Sequence, residues 1–224
     1  MSRCSIAFGL TLCLSASVFD AAAQDVRRSA PTSATAALAG QALGKKQIDL
    51  VRRVSAYFNQ ITNLKGTFLQ TSADNQRLRG YFHISRPGRF RFEFNPPSRV
   101  VILANGHQVA IQDHDLNTDD RWELSYTPFR AILKKDVDLL RDARIVEVNE
   151  AEDMMVVVFE DRDADTSGRI TLFMALQPAL QIKAWITRDA QGLDTRVDLT
   201  EVSPSEEPDA RLFDPALKLE RKAR

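Results

Sequence analysis

The stretch 85-SRPGRFRFEFNPPSRVVILANG-106 holds two short apolar runs fenced by Pro87-Gly88, Pro96-Pro97 and Asn105-Gly106. In the first run Phe90, Phe92 and Phe94 alternate with Arg91 and Glu93, so a strand places three rings on one face and an ion pair on the other. The turn pairs are the residues that reverse a chain. The stretch offers no obvious nucleophile, base or metal ligand. Its chemistry is that of a wide aromatic surface.

The same period of two extends outward in both directions. Leu78, Phe82 and Ile84 repeat the aromatic and aliphatic face next door. Short alternating runs at 64–73, 77–85, 89–95, 99–105, 107–113, 119–124, 143–149, 153–160, 169–175, 180–188 and 193–202 predict eleven consecutive antiparallel strands in a single sheet. Turn residues separate them, among them Ala73-Asp74-Asn75, the run from Asp163 to Gly168, and Gln191-Gly192. Two segments break the pattern. From Lys45 to Ile61 the apolar residues Ile48, Val51, Val54, Phe58 and Ile61 recur every three or four positions, which predicts an amphipathic helix. In 127-TPFRAILKKDVDLL-140, Thr127 can cap and Pro128 suits a first turn, so a short helix or helix pair is expected. A sheet this long curls, and its apolar concave side must be covered or filled. The two helical segments are the available covers, but periodicity does not separate a filled core from a ligand cavity.

The 224 residues carry thirty basic and thirty acidic side chains and are 44% apolar, enough for a sizeable core and without a basic footprint for nucleic acid. Residues 1–23 read as a secretory signal peptide: Arg3, an apolar run from Cys4 to Phe19, and Ala21-Ala22-Ala23 as an A-x-A cleavage signal. The mature chain is then expected to be exported and soluble. Residues 24–43, rich in Ala, Ser and Thr, are expected as a flexible leader, and residues 44–224 as the folded domain. Both cysteines, Cys4 and Cys13, fall in the removed segment, so neither a disulfide nor a thiolate is available to the mature domain.

Catalytic patterns are missing. There is no GxSxG elbow and no HExxH pair near His83, His107 or His114, and the run 113-DHD-115 reads as solvated. Asp161, Asp163 and Asp165 stand at the first spacings of an EF-hand loop, yet Thr166 and Leu172 replace the glycine and glutamate it requires. That segment reads as a solvated hairpin turn. No cofactor, metal site or catalytic group is expected, and the chain reads as a binding protein rather than an enzyme.

The order NLKGTFLQ, a glycine-bearing strand, SRPGRFRFEFNPP, ILANG and YTPF with a short helix resembles the periplasmic outer-membrane lipoprotein carrier family, LolA, over residues 47–214. The resemblance implies an unclosed β-barrel with an α-helical lid, mainly β. It implies a monomeric carrier that takes the acyl chains of lipoproteins from an inner-membrane ABC-type releasing complex to an outer-membrane acceptor. It also implies that Arg86 bonds to the lid and latches it. Phe68, Phe90 and Phe92, with Phe129, Ile132 and Leu133 of the lid, fall on positions that resemble the cavity lining; Phe82 and Phe94, on the same aromatic face, are assigned to it as well. Two departures stand out. After Gly106 the strand reads HQVAIQ where many members carry aromatics, and the chain stops soon after Asp214-Pro215, so that any further C-terminal strand is expected to be short. A periplasmic lipid- or lipoprotein-sensing domain is the alternative binding role. A secreted hydrolase with an apolar cleft is the alternative of another class.

Overall fold

The computed structural model describes residues 43–127, 129–162 and 168–216. Residues 1–23, expected as a signal peptide, residues 24–42 of the expected leader, and Pro128, Asp163, Asp165 and Thr166 lie outside the described residues. Leu43, expected as the last leader residue, belongs to the fold: its side chain packs partly buried against the core.

The first helix, α1, spans Lys45–Gln60. The Gln47 side chain accepts from the Gly44 amide at 2.9 Å, satisfying one end donor. Leu50, Val51, Val54 and Phe58 turn inward. The strands are β1 (Asn63–Thr71), β2 (Arg77–Ser85), β3 (Arg89–Phe94), β4 (Val100–Asn105), β5 (Gln108–Asp113), β6 (Thr118–Glu123), β7 (Ala143–Ala151), β8 (Met154–Asp161), β9 (Arg169–Ala175), β10 (Gln181–Arg188) and β11 (Asp194–Pro204). All eleven join one antiparallel sheet in the order β6-β5-β4-β3-β2-β1-β11-β10-β9-β8-β7. The first and last strands therefore pair in the middle, and the sheet is cut between β6 and β7. That cut falls where the sequence leaves its alternating pattern.

The segment between β6 and β7 forms a 3-10 turn at Leu124–Tyr126, then α2 (Arg130–Leu133) and α3 (Leu139–Asp142). Thr127 caps neither helix; its hydroxyl donates back to Leu124 O at 2.8 Å. Asp138 is the cap, accepting from the amides of Leu140 and Arg141. Helix α1 pins this segment through side chains. Asn59 donates to Val137 O at 2.9 Å and accepts from Val137 N at 2.8 Å, and the buried Ser55 hydroxyl accepts from Leu139 N at 3.1 Å.

The convex side is covered too, which alternation alone does not show. Val101, Leu103 and Ala110 form a small second core, and the 3-10 turn Ala210–Phe213 packs against β3 and β4. Under it Arg91 donates to Glu93 at 3.0 Å and to Leu212 O at 3.3 Å, with Arg91 and Glu93 both buried. Gln112 donates to Pro215 O at 2.6 Å.

Candidate functional site

On the concave side the sheet and its helical covers enclose a cavity of about 500 Å³. Leu64, Ile84, Phe90, Phe92, Ile102 and Ile111 line it from β1–β5, and Ile182, Trp185, Val197 and Leu199 from β10 and β11. Phe58 of α1 and Ile61 just past its end close it on one side; Phe129, Ile132 and Leu133 close it from the segment between β6 and β7. A wider depression of about 1170 Å³ lies between the Gly88 and Gly106 turns and α2, but its walls mix Arg89, Glu123, Lys135 and Asp142. Only the smaller space is bounded chiefly by apolar side chains, the character expected of a ligand pocket.

Of the residues singled out in the sequence, Phe90, Phe92, Phe129, Ile132 and Leu133 line this cavity, and Arg86 sits at its edge. Phe68, Phe82 and Phe94 do not. Their assignment to the wall is corrected here: they are 3%, 0% and 2% exposed and fill the sheet behind it. The reason lies across the ladder. Gly80 pairs with Phe68 on one side and Phe94 on the other, and the two rings meet edge-to-face over it at 5.1 Å. A Cβ on Gly80 would stand 2.6 Å from the Phe68 ring. Phe82 pairs with Gly66 in the same way, 2.9 Å from where its Cβ would be, and stacks on Phe92 at 5.4 Å. A glycine opposite an aromatic leaves room for the ring to lie down rather than point into the cavity.

Trp185 is the wall residue that alternation misses. It meets Phe92 at 5.8 Å and Phe129 at 6.2 Å, so it joins the sheet wall to the helical cover. Counting by two from Ile182 places Trp185 on the opposite face. A bulge between Ile182 and Ala184 shifts the register and brings both inward. The Ile182 amide donates to the Tyr57 hydroxyl of α1 at 3.1 Å. Burial raises the Tyr57 pKa, a shift the Ile182 bond partly offsets.

Arg86 reaches both covers at once. Its Nη1 donates to Ile61 O, just past the end of α1, at 3.2 Å, and its Nη2 donates to Lys134 O, just past the end of α2. Such carbonyls lack partners inside their own helices. Burial lowers the Arg86 pKa, though a guanidinium stays charged throughout the ordinary range. The adjacent turn adds a bond from Gly88 N to Leu133 O at 2.8 Å. A second arginine works from the other side: Arg130 of α2 makes a bidentate pair with Asp161, at 2.6 and 2.5 Å, and the Asp161 side chain is fully buried. Asp161 thus ends β8 as the partner of the cover, which corrects its reading as part of a solvated turn. Its spacing to Arg130, thirty-one residues apart, leaves no local signal.

Among the described residues, no group of three His, Cys, Asp or Glu side chains is placed to hold a metal. No helix among them is long and apolar enough to cross a membrane.

The family model for the outer membrane lipoprotein carrier protein LolA matches residues 59–216. The outer-membrane lipoprotein carrier protein of Chromohalobacter salexigens is 26% identical over 175 residues, covering 72% of this chain and 80% of that one. The carrier protein of Halorhodospira halophila is 26% identical over 182 residues, covering 77% and 84%. Among solved structures, a LolA superfamily protein from Nitrosomonas europaea is 10% identical, covers 73% of this chain and 97% of that one, and superposes with a TM-score of 0.40. The match to the family model begins at the last two residues of α1 and spans the whole sheet and the helical segment between β6 and β7, and the chain belongs to the outer-membrane lipoprotein carrier family, LolA.

Proposed function

We propose that this protein is a periplasmic carrier that holds the acyl chains of lipoproteins in the concave cavity and ferries them from an inner-membrane ABC-type releasing complex to an outer-membrane acceptor. It acts by binding, without a chemical step. The observation that carries this reading is an apolar cavity shut by helical segments whose ends are tied to the sheet by one arginine. Each methylene moved from water into such a space contributes ~0.8 kcal/mol, so part of one acyl chain gives firm retention. Retention alone does not make a carrier; the cover must also open. Arg86 supports that role as a latch, because bonds from a charged donor to two carbonyls are worth a modest net ~1.5–3 kcal/mol and can be lost and regained. Native mass spectrometry of protein isolated from the periplasm, before and after detergent washing, tests the proposal. A bound lipoprotein removed by detergent is the expected result. A small lipid alone would point to a sensing role, and turnover of an added ester would point to hydrolysis.

A further inference from the structure

The cavity changes character along its length. Near Arg86 its lining is aliphatic, from Ile61, Leu64 and Ile84. At the other end, where the β10–β11 hairpin closes, three neutral polar side chains line the same space: Gln70, Thr187 and Thr195. The register brings them together. Gln70 and Trp185 both pair with Val197, while Thr187 pairs with Thr195, two residues along β11 on the same face. The Gln70 amide is half-buried and has no hydrogen-bond partner among the described residues. The charges beside it are engaged elsewhere. Arg188 is held bidentate by Asp194 at 2.7 Å, and the Asp189 carboxylate accepts from the amides of Gln191 and Leu193 at 2.9 and 2.8 Å. What this rim offers a ligand is neutral hydrogen bonding, with one side-chain amide able to donate and accept.

We propose that Gln70, assisted by Thr195, forms a carbonyl-recognising rim that takes the ester or amide groups joining acyl chains to their head; the Thr187 hydroxyl is spent on Thr195 O at 3.4 Å. An acyl chain is by definition attached through a carbonyl. That oxygen loses water as the chain enters, and leaving it unpaired at the edge of an apolar space opposes binding. The rim fixes an orientation: chain ends lie toward Arg86, and the head group emerges at the β10–β11 turn beside the exposed Leu193. This assignment rests on the acyl-binding reading above and deepens it.

The test uses the whole chain and the uncharged dye 1-N-phenylnaphthylamine, displaced by two peptides that share one cysteine head. One carries two palmitoyl ester chains; the other carries the same chains as hexadecyl ethers. Wild-type protein should prefer the ester by about fivefold, the worth of one neutral hydrogen bond. Gln70→Leu should bring that ratio close to one, and Thr195→Val should lower it by less. Loss of structure would shift both probes together and leave the ratio standing, so the ratio isolates the carbonyl. Equal affinity of wild type for the two probes, or a full ester preference in Gln70→Leu, overturns the rim. Failure of both peptides to displace the dye from wild type overturns the acyl-binding reading itself.

Discussion

Phe82 and Phe129 are the same side chain in opposite settings. Phe82 lies on a glycine within the sheet, stacked against Phe92 and closed off from any space. Phe129 stands half-buried on the cover, with Trp185 on one side and the cavity on the other. The concave face of one sheet is thus filled where glycines let rings recline and hollow where larger side chains face each other across it. Aromatic content marks both regions equally; the residue across the ladder decides between them.

That contrast is broken most directly by truncation. Phe82→Ala should cost ~3–5 kcal/mol in urea unfolding, because the sheet cannot collapse onto the hole it leaves. Phe129→Ala should cost about 1 kcal/mol or less, since its ring already borders empty space, while weakening dye binding. Equal losses of stability in the two variants would erase the distinction between filler and wall.

The next effect concerns the fastening of the hollow region. Arg86→Leu removes both bonds from the guanidinium to the ends of α1 and α2, so hydrogen exchange across residues 130–134 should quicken by the equivalent of ~1.5–3 kcal/mol. Amides of β2 and β3 should keep their protection. Arg86→Lys should restore part of the difference, lacking the planar fork that reaches two carbonyls. Unchanged exchange in the leucine variant would remove Arg86 from the latch.

The smallest effect is electrostatic. Burial pushes the Asp142 pKa upward, but hydrogen bonds from Arg141 and Lys134 outweigh it and pull the value from 3.8 down to about 2. A carboxyl whose folded value is depressed adds stability above its unfolded pKa, and that contribution is lost as pH falls through about 2. Thermal melts of wild type and Asp142→Asn should therefore differ at pH 5 and converge toward pH 2. Salt should shrink the gap, because Arg141 and Lys134 are partly exposed. A constant gap at both pH values would mean that Asp142 acts through packing.

Local pattern carried α1, the eleven strands and their turns, because helical and strand periods are written within a few residues of one another. Five of the eight aromatic and aliphatic residues assigned to the cavity line it. What stayed hidden depends on partners far along the chain. Phe68 faces Gly80, Trp185 is turned by a one-residue bulge, and Asp161 at the end of β8 meets Arg130 of α2. The burial of Arg91 and Glu93 depends on a turn more than a hundred residues later. None of these pairings leaves a mark in a short window of sequence.

The cut between β6 and β7 has a mechanical meaning. A closed tube widens only by breaking ladder bonds somewhere around its circumference. This sheet is a split ring, its ends being the two strands that flank the helical insertion and its seam the pairing of β1 with β11 on the far side. Spreading the split breaks no strand pairing and distributes a gentle bend over every ladder in the ring. The space inside the sheet can therefore widen by bending, without any strand pair coming apart.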